Sequence, residues 1–189
     1  MASDREVSSW LPWQRVFRHG TLVIHPPPEM GQTLDELRRK FDPVNHGYAQ
    51  AHVTLTQPFR AVPTEANLSA VAAVIGEASA FEITLGPTGI FPDDHVLYLE
   101  VHPIDRVLAL RGALHALGLF DLSLAYSENF VPHLTITERK SSSDIERELI
   151  SRLGAHVPGD RFQCEAVTFI CPNEAFRFEV VRKFALSTA

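Results

Sequence analysis

Two short segments hold the residue types that chemistry needs: His52-Val53-Thr54-Leu55-Thr56 and His133-Leu134-Thr135-Ile136-Thr137, 81 positions apart. In an extended strand, side chains alternate faces. Each segment therefore sets an imidazole and a hydroxyl about 7 Å apart on one face, with aliphatic residues on the other. Imidazole has an unperturbed pKa of about 6.5, so around neutral pH one histidine can be neutral while a second carries a proton. One then serves as general base and its partner as general acid, while threonine hydroxyls hold non-bridging phosphate oxygens. That combination suits phosphodiester cleavage without a metal. A single His-x-Thr is weak evidence, because threonine is a good strand former and strand histidines are usually surface or hydrogen-bonded residues. Two copies with the same facing are stronger, since folding does not demand paired histidines opposite an apolar face.

The elements that must position these segments alternate along the chain. Residues 21–25 read as a β-branched strand, and Thr33 with Glu36 forms a capping box ahead of Leu34, Leu37 and Phe41, until Asp42-Pro43 stops that helix. Residues 51–56 are the next strand. Thr64 caps a helix with Leu68, Val71, Ala72 and Ile75 as its apolar stripe, and strands follow at 81–85 and 96–101. Asp105 caps a helix carrying Val107, Leu110, Leu114 and Leu117, closed by Gly118, before a strand at 131–137. Ser143 and Glu146 make another capping box, with Ile145, Leu149 and Leu153 as the stripe and Gly154 as the stop. Residues 161–170 and 175–186 close the chain as a hairpin around Pro172-Asn173.

The order repeats. A strand ending in His25-Pro26 is followed by a helix, the His52 strand, a helix and a strand at Phe81; a strand ending in His102-Pro103 is followed by a helix, the His133 strand, a helix and a strand near Phe162. The offsets are 27 and 29 residues in the first half, and 31 and 29 in the second. Matched offsets predict two copies of one strand-helix-strand-helix-strand unit, hence two lobes about a pseudo-two-fold axis. With no linker or low-complexity run, residues 20–189 form one two-lobed domain, preceded by a 1–19 extension in which Trp10, Trp13 and Phe17 share one face of a short helix that packs back on it.

With 45% hydrophobic and 21% charged residues in a length of 189, the chain can bury one substantial core. Its 17 Lys+Arg against 23 Asp+Glu give a net charge of −6, which argues against a broad surface that tracks nucleic-acid phosphates and favours small substrates or short RNA ends. No apolar run approaches the roughly 20 residues of a spanning helix and no signal-peptide core precedes residue 17, so the expectation is a cytoplasmic, monomeric protein with no membrane partner. Cys164 and Cys171 lack CxxC spacing, which excludes a zinc finger and predicts reduced strand thiols. A metal site is disfavoured, because no carboxylate or cysteine matches in both His strands to bring the ligands to three or four. No nucleophile-elbow motif supports a serine or cysteine mechanism.

The pair His52-Val-Thr54-Leu and His133-Leu-Thr135-Ile, with Pro58-Phe59 after the first motif and Phe130-Val131-Pro132 before the second, resembles the two HxTx motifs of the 2H phosphoesterase superfamily, specifically its 2′-5′ RNA ligase-like, RNA 2′,3′-cyclic phosphodiesterase branch. The resemblance covers residues 20–186. It implies an α+β fold of two lobes with antiparallel sheets flanking a central cleft, and hydrolysis of 2′,3′-cyclic phosphates of RNA ends or small nucleotides without a cofactor. Carried over, His52 is the acid, His133 the base, and Thr54 and Thr135 bind the phosphate. Bacterial relatives often continue the second motif as HxTLxR; here that arginine position is Glu138, with Arg139 one residue later on what would be the other strand face. Phe59, Phe91 and Phe130 are candidates for stacking on a base, Tyr48 for the cleft entrance and Arg139 for the phosphate. His25 and His102 read as structural. The superfamily also implies a nucleotide-binding module without turnover as the alternative, and RNA end ligation as a side activity, for which no nucleotide-transfer lysine motif is present.

Overall fold

The computed structural model describes residues 9–91, 96–125, 127–138 and 161–188. Eight strands form one antiparallel sheet: β1 (Thr21–Ile24), β2 (Val53–Thr54), β3 (Phe81–Phe91), β4 (Val96–His102), β5 (His133–Thr137), β6 (Arg161–Cys164), β7 (Ala166–Pro172) and β8 (Phe178–Ala185), in the order β6-β3-β4-β5-β2-β1-β7-β8. Among the described residues the helices are α1 (Pro12–Arg15), α2 (Pro28–Phe41), α3 (Pro43–His46), α4 (Glu65–Glu77) and α5 (Ile104–His115). The architecture is the expected α+β one, with two four-stranded halves meeting where Val53 of β2 pairs with Leu134 of β5. The two motif strands are thus the innermost pair.

The duplication is visible, with one change. β3, which closes the first unit, crosses over to pair with β4 of the second, and β7 crosses back to pair with β1 of the first. The equivalent of β3 is therefore β7 and not the strand near Phe162, which is β6 and pairs with β3 at the sheet edge. The run 161–170 is accordingly broken at Glu165 into strands of opposite halves, and the closing hairpin is β7–β8.

Alternation explains the core. Val53, Leu55, Leu134 and Ile136 are at most 1% exposed. They join Leu34 of α2, Leu68, Val71 and Ile75 of α4, and Val107, Leu110 and Leu114 of α5 in one apolar cluster. Ala72 departs from its predicted stripe and faces outward. Two predicted caps also move. α2 begins at Pro28, five residues before Thr33, whose hydroxyl instead donates to the Glu29 carbonyl inside the helix; proline with its fixed φ is the stronger start signal. Pro103 caps α5, leaving Asp105 in the first turn, where its charge complements the helix dipole. Thr64 does cap α4 in a reciprocal box with Asn67. The helix predicted around Ile145 lies outside the described residues.

Residues 9–19 pack back on the sheet, but α1 covers only Pro12–Arg15, so Trp10 and Phe17 lie outside the helix predicted to carry them. Trp10 is buried, its indole Nε1 donating to the Glu174 carbonyl at 2.9 Å, and Trp10, Trp13, Tyr48 and Phe178 surround the Phe176 ring at 5.0–5.4 Å in the β7–β8 turn. Gly20 opens β1 with φ +78, and a Cβ there would strike the Ile170 carbonyl, so the strand entry requires glycine. Cys164 is buried and Cys171 half-buried; burial pushes the Cys164 thiol up to about 12. No helix among the described residues is long and apolar enough to cross a membrane.

Candidate active site

β2 and β5 present their polar faces side by side, because β2 pairs antiparallel with β5 and both strands alternate in the same phase. Thr54, His133 and Thr135 line a cleft of about 820 Å³, together with Phe91, Phe130 and Arg111. His52 is not part of that wall; its ring stands 6.3 Å from that of His25, its cross-strand neighbour.

The two imidazoles are held alike. His52 Nδ1 lies 2.6 Å from the Gln50 carbonyl and His133 Nδ1 lies 2.7 Å from the Val131 carbonyl, two residues upstream in each case. A carbonyl only accepts, so Nδ1–H donates in both and each Nε2 is left for chemistry. The His52 pKa is pushed down to about 4, first by loss of hydration, against the pull of the Gln50 bond, and then by the positive charge of Arg38 and of the two other histidines. Loss of hydration also lowers His133, with its bond to Val131 acting the other way. Both are neutral at pH 7 before substrate binds.

His133 sits among aromatic rings, with Phe91 at 5.0 Å, Tyr98 at 5.4 Å and Phe130 at 6.1 Å. Phe91 stacks on Tyr98 at 4.2 Å, and the Tyr98 ring lies over Gly89, where any Cβ would collide with it. Phe91 and Phe130 both line the cleft. Phe59 is not: it is 2% exposed, packed on Phe120 at 4.6 Å and Phe169 at 5.2 Å in the core. Tyr48 is taken up by Trp13 and Phe176 and does not reach the cleft wall. Arg139 lies outside the described residues.

Helix α2 clamps both motifs. Asp35 Oδ1 accepts from the Ala51 amide and from Arg38 Nη1, each at 2.8 Å, and Arg38 Nη1 also donates to the Ala49 carbonyl at 2.7 Å. These bonds straddle Gln50, whose carbonyl orients His52. At the helix end, buried Asp42 accepts from the Glu138 amide at 2.8 Å and fixes the exit of β5. Glu138 itself lines the cleft, its carboxyl raised by reduced hydration and by Asp42.

α5 adds two further groups. Arg111, 4% exposed, donates from Nη1 to the Leu55 carbonyl at 2.8 Å and lies over the Phe130 ring at 4.0 Å. His115, one turn on, accepts from the Gln57 amide at 3.2 Å; loss of hydration and the Arg111 charge lower its pKa to about 4, which keeps it the neutral acceptor this bond needs. Sequence reasoning passed over Arg38 and Arg111, though a signal existed. Residues 107, 110, 111 and 114 have core-face spacing, as do 30, 34 and 38, so an arginine interrupts each apolar stripe. Among the described residues, no three His, Cys, Asp or Glu side chains gather as a metal-ligand group.

A family model described as the 2′-5′ RNA ligase superfamily matches residues 26–174. A Bacillus cytotoxicus protein named "Putative phosphoesterase" is 27% identical over 135 residues, which is 70% of this chain and 76% of the relative. A protein of the same name from Bacillus pumilus is 27% identical over 126 residues, 65% of this chain and 71% of its own. E. coli LigT in its apo form has the same fold, with a TM-score of 0.57 at 18% identity over 88% of this chain and 96% of that one. LigT complexed with NADP+ gives 0.60 at 18% identity over 90% and 98%.

Proposed function

The chain belongs to the 2′-5′ RNA ligase superfamily, and from that premise we propose that it is a metal-independent phosphodiesterase hydrolysing 2′,3′-cyclic phosphates of RNA ends or small nucleotides. Its family and its relatives named as phosphoesterases support a hydrolase of phosphoester bonds. The observation that carries the finer reading is the pair of neutral imidazoles, each with Nδ1–H tied to a carbonyl, on adjacent strands beside Thr54 and Thr135. LigT has been solved with 3′-AMP and with NADP+, which favours nucleotide-sized ligands.

In this reading Thr54 and Thr135 donate to the non-bridging oxygens of the cyclic phosphate. His133 Nε2 takes a proton from water as its oxygen bonds to phosphorus. The bond from phosphorus to one ribose oxygen breaks, and His52 Nε2–H protonates that oxygen, giving a phosphomonoester and a free hydroxyl. His52 must first gain a proton, and the substrate's anionic phosphate raises its pKa on binding. Exchange with solvent then returns both imidazoles to their starting states.

The test is turnover of a 2′,3′-cyclic mononucleotide and of a short RNA ending in a cyclic phosphate, in excess EDTA, with phosphorus NMR of the product. A monoester is expected from at least one of them, and the faster substrate separates RNA-end processing from nucleotide hydrolysis. No turnover of either overturns the reading.

A further inference from the structure

We propose that Arg111 is a phosphate-binding residue of this cleft, supplying from helix α5 the cation that the motif strands do not bring. Three independent observations carry this. First, among the described residues Arg111 is the one lysine or arginine lining the cleft, whose walls also hold Thr54, His133 and Thr135. The position just after β5 brings a carboxyl group, Glu138, instead. Second, Arg111 is buried yet incompletely satisfied: Nη1 donates to the Leu55 carbonyl, while Nη2 is sealed from solvent with no hydrogen-bond partner. A buried guanidinium N–H without an acceptor is costly, and such groups persist where a ligand supplies the missing acceptor. Third, the side chain is pre-organised. The Leu55 bond ties it one residue beyond Thr54, and Phe130, 6.1 Å from His133, supports its face at 4.0 Å, so the free N–H is held between the two motifs.

The chemistry fits a phosphoryl oxygen better than a base or a sugar hydroxyl. A planar guanidinium with Nη1 committed and Nη2 without an acceptor makes a charge-assisted bond to a phosphate oxygen that reaches it, and the stack on Phe130 holds the plane in place. Burial lowers its pKa only to about 10, so it remains a cation throughout the neutral range. Thr54 and Thr135 are neutral donors; Arg111 gives the site its fixed positive charge and opposes the increase in negative charge as water attacks.

The inference rests on the phosphoester reading of the cleft, but its test does not depend on turnover. Inorganic phosphate is titrated into the full chain with arginine side chains labelled by nitrogen-15, while binding is followed by calorimetry in wild type, Arg111→Gln and Arg111→Lys. The Arg111 side-chain resonance is expected to shift with phosphate. Arg111→Gln is expected to bind roughly 10- to 100-fold more weakly, the range for one charge-assisted hydrogen bond, with Arg111→Lys intermediate. An Arg111 resonance unmoved by saturating phosphate, or a wild type that binds none, overturns the proposal; so does a folded Arg111→Gln that binds as wild type does. If Arg111→Gln does not fold, the wild-type resonance alone decides. Phosphate engaging Arg111 without hydrolysis of any cyclic phosphate would leave this inference standing and remove the proposed function.

Discussion

His52 and His133 are held by the same hydrogen bond but differ in surroundings: His52 has Arg38 and His25 nearby, and His133 has three aromatic rings. The stronger pull on His52 has a kinetic consequence. Catalysis needs His52 protonated and His133 neutral, and both pKa values lie below 6.5 before substrate binds. kcat/KM, which reports the free enzyme, is therefore expected to fall as pH rises above about 6.5. In kcat the same limb moves to higher pH, since bound phosphate favours the imidazolium. A kcat/KM that climbs from pH 6 to 8 would contradict the assignment of His52 as acid. Thr54→Val and Thr135→Val each remove a phosphate donor while keeping the strand shape, and a loss in kcat/KM of about 10-fold is expected of each. The two His-x-Thr motifs were legible because period-two alternation is a local property of strands. Phe59 was not, since the same aromatic type serves the core and the cleft, and only packing on Phe120 and Phe169 decides between them.

At the scale of elements, α2 is more than a cover for the sheet. Its Asp35–Arg38 pair brackets Gln50 and so sets the carbonyl that orients His52. Asp35→Ala removes the acceptor of the Ala51 amide and is expected to lower kcat about 10-fold with little change in KM; Asp35→Asn keeps an acceptor and restores most of the loss. Equal losses in both variants, or a change confined to KM, would argue against this positioning role. Steady-state kinetics on 2′,3′-cyclic AMP distinguish them. Helix ends were less legible than helix stripes. Thr33 and Glu36 have capping-box spacing, yet the three prolines at 26–28 start the helix earlier, because a fixed φ at the first turn competes with a side-chain cap. The arginines within the α2 and α5 stripes were overlooked for a different reason: periodicity identifies a face, while the acceptors that satisfy a buried guanidinium, the Ala49 and Leu55 carbonyls, come from distant parts of the chain.

Across the whole molecule, two crossovers knit the halves together, with β3 joining β4 and β7 joining β1, while the motif strands touch through a single register pair. The cleft thus lies on the seam, where both halves contribute and neither is complete alone. Repeat offsets revealed two units but not which unit each closing strand would join, because crossover pairing is a long-range choice. Leu134, fully buried at the seam, is expected to cost about 2–5 kcal/mol on truncation to alanine, measured by urea unfolding. Histidines also set the acid limit of the fold. His52 and His115 are lowered to about 4, and His25 and His133 are lowered as well, so between pH 6.5 and 4 the unfolded chain binds protons that the folded one refuses. Stability is expected to be level between about pH 7 and 8 and to fall as pH drops through that window, with the raised Glu138 carboxyl opposing part of the loss. Urea midpoints at pH 7.5 and 5 measure it.

Hydrolysis of 2′,3′-cyclic AMP by wild type, His52→Ala and His133→Ala, in excess EDTA and with all three shown to be folded, bears most directly on whether this cleft works by paired imidazoles. Wild-type turnover with a loss of about 100-fold or more in each variant is the expected result. Activity that needs a metal, or that survives removal of either histidine, would contradict it.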